Sequence, residues 1–405
     1  MNQYKLNLIA FLLSLSGLEF LIMGFGSISV AFVVLGLTSA FLLFRNLVIS
    51  LNFINFILTC IVLIMTSTGI YNYLYIENFS LLSHFKMVFK VFVVMAMAFT
   101  FPKFFSKISH FQLFDALIFV LRLHVLLVFL DTIFYSPIDW GDNGVILNER
   151  IVDYNRPRGV FGEPSRFAIF QSILLSTILF FSHRFKEIEL KSYDIFLGAT
   201  SLIISTSMFG AVMFVIFLTQ YLLYIFIKQF NSQALTSIKI FLYAVFLLIT
   251  IITIFFIFFD GQFEYVKSRF MNVITFRDGS ARGRIIGGYL SFIDVLQNQP
   301  FSGYGGGSLN ELNNFDQTIE IEKYRNEFGK VYLNNTTFLS AITIASGIIP
   351  PLLLFSIFVY ILIKRYYFYS LVMFLTTIAS GLYYYPAFWI SLVIFCYYVK
   401  GKKLY

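Results

Sequence analysis

The sequence predicts an all-α polytopic membrane protein, with about twelve transmembrane helices and a large outward-facing loop that contains an amphipathic helix. Two observations set this class. Hydrophobic residues make up 59% of the 405-residue chain and charged residues 12%, with a mean hydropathy of +0.82. Soluble domains are roughly 45–50% apolar. The apolar residues also fall in stretches of about 17–25, the length a helix needs to cross a hydrocarbon core of about 30 Å. The chain length therefore reads as a single integral membrane domain over 1–405 rather than as two or three soluble domains.

The stretches begin at 6–23, where Lys5 precedes an apolar run without a small-residue cleavage site, so a retained first span is expected rather than a signal peptide. Further spans are expected at 28–44, 47–67, 87–101, 111–136, 167–182, 193–207, 209–227, 240–259, 336–363, 368–382 and 387–399. This number of crossings puts both termini on one side of the membrane.

Lysine and arginine orient the set. Lys5, Arg45, Lys103, Lys107, Arg184, Lys186, Lys191, Lys228, Lys239, Lys364, Arg365, Lys400, Lys402 and Lys403 fall on the side of the termini, which is therefore the cytoplasm. The opposite side carries Lys86, Arg150, Arg156, Arg158, Arg166, Lys267, Arg269, Arg277, Arg282, Arg284, Lys323, Arg325 and Lys330. Nearly all of these lie on two long loops, which the orientation rule does not count. Only Lys90 and Arg122 fall inside spans. The cytoplasmic set is eleven lysines to three arginines, and the outward set is nine arginines to four lysines. Orientation alone would accept either residue. Arginine's planar fork of donors matches phosphate or carboxylate bidentately, so the bias predicts an anionic ligand on the outer side.

The two outward loops are 137–165 and 260–335, long enough to be functional rather than mere connections. In the second, 284–299 places Ile285, Ile286, Tyr289, Leu290, Ile293 and Leu296 on one side of a helix that would lie along the membrane surface and stop at Pro300. Ser-Gly-Tyr-Gly-Gly-Gly-Ser follows at 302–308. Gly303, Gly305 and Gly306 form either a simple turn or a backbone loop whose amides hold an anion.

Chemistry concentrates at 156–167, Arg-Pro-Arg-Gly-Val-Phe-Gly-Glu-Pro-Ser-Arg-Phe, at the mouth of the sixth span. Proline is ordinary at a first helical position. Arginine is costly there, because the positive end of the helix dipole opposes a cation, and a bound anion would offset that cost. Arg156, Arg158 and Arg166, with Arg282 and Arg284 before the amphipathic helix, are the candidate anion-binding residues; lipid headgroups are their alternative contact. Glu163 is the candidate general base. Its alternative role is to pair with the arginines, whose charge weakens it as a base. Within the spans, Arg122 and Asp131 are expected to pair, and His124 to pack as a core histidine.

Several classes are disfavoured. The formal charge of +8 follows from the loop lysines and arginines and is no sign of nucleic acid. Cys60 and Cys396 both lie in apolar runs, so no disulfide framework is expected, and no Cys/His metal cluster occurs. The outward side lacks an Asp-x-Asp pair, which favours a metal-independent mechanism.

Arg-x-x-Gly-x-Phe-x-Glu-Pro-Ser at 156–165 resembles the corresponding loop of bacterial O-antigen polymerases of the Wzy type. Gly283-Arg284 with Pro300-Phe301-Ser302-Gly303-Tyr304-Gly305 is similar to a Gly-Arg…Pro-x-x-Gly-x-Gly pattern shared by O-antigen polymerases and O-antigen ligases. The ligases typically place a His-Asn pair after the large loop, where this chain has Asn334 and Asn335; that departure disfavours a ligase.

The resemblance implies a metal-independent glycosyltransferase of the bacterial inner membrane, without a cofactor. It would polymerise undecaprenyl-diphosphate-linked oligosaccharide repeat units on the periplasmic face, making 137–165 and 260–335 periplasmic loops. Donor and acceptor would both be lipid-linked glycans, the lipid tails would lie among the spans, and a chain-length regulator and a flippase would be the expected protein partners. The diphosphate would be held by Arg156, Arg158, Arg166, Arg282 and Arg284, with Glu163 as base. The rivals are an O-antigen ligase, a capsule or exopolysaccharide polymerase and, from another class, a flippase or transporter. A transporter should carry repeats and polar groups near the bilayer midplane, whereas the charges here gather at one face.

Overall fold

A computed structural model describes residues 53–75, 79, 81–105, 108–134, 164–205, 207–230, 271–272, 288–305, 337–379 and 386–399. Among the described residues the regular structure is all-helical. The helices are α1 (Phe53–Tyr75), α2 (Leu81–Phe105), α3 (His110–Phe134), α4 (Pro164–Arg184), α5 (Ser192–Ile204), α6 (Met208–Phe230), α7 (Gly288–Asn298), α8 (Phe338–Ser346), α9 (Ile349–Ile363), α10 (Tyr367–Ala379) and α11 (Pro386–Val399). The expected spans at 6–23, 28–44 and 240–259 lie outside the described residues.

Four described helices are long and apolar enough to cross a membrane: Phe53–Tyr75, His84–Pro102, His110–Ile133 and Pro164–Arg184. This is a membrane protein. These four overlap the expected spans at 47–67, 87–101, 111–136 and 167–182, the first of them running eight residues past its expected end, because an apolar run can satisfy its backbone in lipid only as a helix.

The expected span at 336–363 is interrupted. It forms two helices, α8 and α9, separated at Gly347, whose φ of +76° lies where only glycine rests easily. Thr337 caps α8, its side-chain oxygen accepting from the Ser340 amide at 3.3 Å. Pro350 and Pro351 sit in the first turn of α9, where a missing amide hydrogen costs nothing. Alone, α9 at 15 residues would reach only about 22 Å at 1.5 Å per residue.

The chain divides into two compact units, Met1–Phe114 with Asn272–Tyr405, and Asp115–Met271. In the first, α1 packs along α2, α9 and α8, and α11 packs against α2. Aromatic contacts fill the seams: the Tyr369 ring stacks on Phe395 at 4.9 Å, its hydroxyl bonds Ser391 at 2.6 Å, and Phe338 sits 6.0 Å from Trp389. His84 of α2 bonds the Met65 carbonyl of α1 at 2.7 Å. Its ring occupies the space a Cβ would need at Gly69.

In the second unit α4, α5 and α6 pack on one another. Almost all of α4 from Phe167 to Phe181 is buried. His183 and Arg184 lie in the last turn of α4, which sets the Arg184 cation at the negative end of its dipole. His124 of α3 is buried, bonds the Val120 carbonyl at 2.8 Å and packs against Phe170 at 4.9 Å.

One expected pairing is corrected here. Arg122 engages Asp194 rather than Asp131: Nε meets Oδ1 at 2.7 Å, a second guanidinium nitrogen meets Oδ2 at 3.0 Å, and the same nitrogen bonds the Tyr193 hydroxyl at 2.8 Å. Asp131 lies nine residues along α3 from Arg122, two and a half turns away, whereas packing of separate elements brings Asp194 within reach of the guanidinium fork.

Candidate functional site

Two places carry the sequence's candidate chemistry. The first is the mouth of α4, which opens at Pro164, so Arg166 lies in the first turn of the helix, partly exposed. A cation at that end runs against the dipole. Arg156, Arg158 and Glu163 lie outside the described residues. One turn further in, α4 becomes polar on one side. Gln171 is fully buried; its Nε2 donates to Ser201 Oγ at 3.1 Å, while its Oε1 is buried without a hydrogen-bond partner among the described residues. Ser201 in turn donates to the Gly198 carbonyl at 2.7 Å.

The second place is the turn after α7. The expected amphipathic helix is described over Gly288–Asn298, and it ends two residues before Pro300 as anticipated. Of its apolar stripe, Tyr289 and Leu296 are exposed, at 61% and 40%, and Ile293 is half-buried, while Gly288, Asp294 and Val295 are buried. That buried side packs on α8, where Gly288 sits against Ser340 and Thr337. An apolar stripe left outward on a helix of a membrane protein suits contact with lipid.

The turn itself is folded inward. Gly303, at φ +58°, donates its amide to the Gln299 carbonyl at 3.0 Å, and Tyr304 donates its amide to the Ile344 carbonyl at 2.6 Å. These two amides are therefore engaged with carbonyls rather than turned toward a ligand. Gly305, at φ +93°, leaves no room for a Cβ because the Phe79 ring fills that space. Gly306, Arg282 and Arg284 lie outside the described residues.

A polar cluster that the sequence reading missed surrounds this turn. Asp294 is 7% exposed; its Oδ2 accepts from the Tyr304 hydroxyl at 2.7 Å and its Oδ1 accepts from Asn298 Nδ2 at 2.8 Å. Burial pushes the Tyr304 phenol well above its ordinary range, and the Asp294 carboxylate raises it further, so it stays protonated and donates. Asn72 of α1, fully buried, donates Nδ2 to the carbonyls of Ser302 (3.3 Å) and Gly303 (3.2 Å). A sequence signal was available: Asp294 is the sole charged residue between Arg284 and Glu311, and Asn298 follows it by one helical turn. Asn72 gave no comparable signal, because its partners lie more than 200 residues away.

Among the described residues, no three His, Cys, Asp or Glu side chains converge as a metal site requires. No family model matches the chain, and neither the curated proteins nor the solved structures contain a match.

Proposed function

We propose that this protein is an inner-membrane glycosyltransferase of the O-antigen polymerase type, joining polyprenyl-diphosphate-linked oligosaccharide repeat units on the periplasmic face. The observation that carries this reading is the start of α4 at Pro164, which sets Arg166 in the first turn of the helix, directly after Arg156, Arg158 and Glu163 in sequence. An anion at that mouth gains from the helix N-terminus and offsets the cost of the arginine there. The outward bias of arginine over lysine and the membrane-embedded helices support the same reading.

In this mechanism an acceptor sugar hydroxyl attacks the anomeric carbon of the donor glycan. The bond from that carbon to the diphosphate oxygen breaks, and its electron pair leaves with the polyprenyl diphosphate. Arg156, Arg158, Arg166, Arg282 and Arg284 stabilise the departing charge, and Glu163 accepts the hydroxyl proton. The topology proposed with it has about twelve spans and both termini in the cytoplasm. A flippase would supply the lipid-linked units, and a chain-length regulator would act on the polymer.

Deleting the gene and running lipopolysaccharide on a gel tests the proposal. Caps of a single repeat unit are the expected result. Absence of any cap would point instead to ligation or flipping, and an unchanged ladder would exclude an O-antigen role.

A further inference from the structure

The interruption between α8 and α9 leaves two backbone groups without helical partners, and the turn after α7 supplies both. Tyr304 donates its amide to the Ile344 carbonyl at 2.6 Å, and the Ile348 amide donates to the Pro300 carbonyl at 2.9 Å. The two segments touch backbone to backbone. A Cβ at Gly303 would lie 2.5 Å from the Ile344 carbonyl oxygen, and one at Gly347 would lie 2.6 Å from the Pro300 oxygen. Asn72 grips the turn from α1, and the Tyr304 hydroxyl ties it back to Asp294 on α7.

We propose that 300–305 is a latch that holds α7 against the bundle throughout turnover, with Asn72, Asp294 and Tyr304 as positioning residues. Its glycines serve close packing rather than anion binding. The latch fixes the position of α7, the helix that follows Arg282 and Arg284 in sequence. The effect on turnover rests on the polymerase reading; the latch itself does not. A closed latch follows from the bonding: opening the turn would take the Tyr304 hydroxyl from the buried Asp294 carboxylate and leave the Ile344 carbonyl and the Ile348 amide without these partners.

The geometry provides its own test. A Cβ built on Gly288 lies 3.6 Å from the Ser340 Cβ, within the roughly 3.5–4.5 Å that a disulfide requires. The full-length protein carrying Gly288→Cys and Ser340→Cys, with Cys60→Ala and Cys396→Ala, is oxidised in native membranes and read on a non-reducing gel. Near-complete cross-linking is expected, with polymer output within about twofold of the reduced form.

Tyr304→Phe, which removes one hydroxyl, is expected to slow cross-linking and to lower polymer output at least fivefold; the pre-formed disulfide then restores output to within about twofold. Failure of the pair to cross-link would overturn the latch. So would a cross-link that stops synthesis until reduced, an unimpaired Tyr304→Phe, or a Tyr304→Phe defect that the disulfide leaves untouched. If the unaltered protein makes no polymer, the polymerase reading falls, while cross-linking rate with and without Tyr304→Phe still decides the latch.

Discussion

Gly303 and Gly347 interlock: a Cβ on Gly303 would lie 2.6 Å from the Gly347 amide nitrogen, while Gly347 faces the backbone of Pro300 and Phe301 equally closely. Both have positive φ, +58° and +76°. Sequence separation between them is large, so the contact joins the turn after α7 directly to the break between α8 and α9.

Gly303→Ala and Gly347→Ala should each destabilise the protein by about 2–4 kcal/mol, combining strained backbone with displacement of neighbouring main chain. Thermal aggregation in detergent measures this. If Gly303→Ala retains full thermal stability but loses synthesis, the glycine serves a ligand and the packing account is wrong.

The Arg122–Asp194 pair is asymmetric, its side chains being 48% and 2% exposed. Removing the arginine strands a buried carboxylate, a loss of about 3–5 kcal/mol for a fully buried pair, reduced here to about 2 kcal/mol because solvent screens the guanidinium. The double substitution Arg122→Ala/Asp194→Ala should therefore be less destabilised than Arg122→Ala alone. Equal stability of the two proteins would show that the carboxylate left behind carries no burial penalty.

Arg156→Ala, Arg158→Ala and Arg284→Ala should each abolish long chains while the protein remains in the membrane, as lipopolysaccharide gels and immunoblots of membrane fractions would show together. In the proposed mechanism their role is to bind the departing diphosphate, which one lost bidentate contact would weaken severely. Normal chain lengths in all three refute the diphosphate clamp.

Glu163→Gln isolates proton transfer from binding, since the amide keeps the size and much of the hydrogen bonding of the acid but cannot accept a proton. Synthesis should fall about 10²–10⁴-fold, the usual worth of a general base. Retained synthesis would leave Glu163 only the task of orienting arginines.

Much of the helical architecture was legible in the chain. The apolar runs at 47–67, 87–101 and 111–136 read as spans from their length and overlap the helices Phe53–Tyr75, His84–Pro102 and His110–Ile133, and the start of α4 was marked by Pro164. The end of α7 was legible from Pro300. The break at Gly347 was not: glycine before two prolines lies in a run apolar enough to pass for one span, and the partners for the interrupted helix come from the Pro300 carbonyl and the Tyr304 amide. Asp294 was visible as an isolated charge, but its partner Tyr304 was not assignable.

By itself the sequence determined that this chain is helical and membrane-embedded, because lipid satisfies no backbone group and leaves apolar runs no other form. It also determined which charged residues directly precede and open α4 in sequence. Tertiary structure decided the partners: Arg122 with Asp194, Asn72 with the turn, Gly303 with Gly347. Pairings of this kind depend on distances between elements far apart in sequence, and residue spacing within one helix carries no record of them.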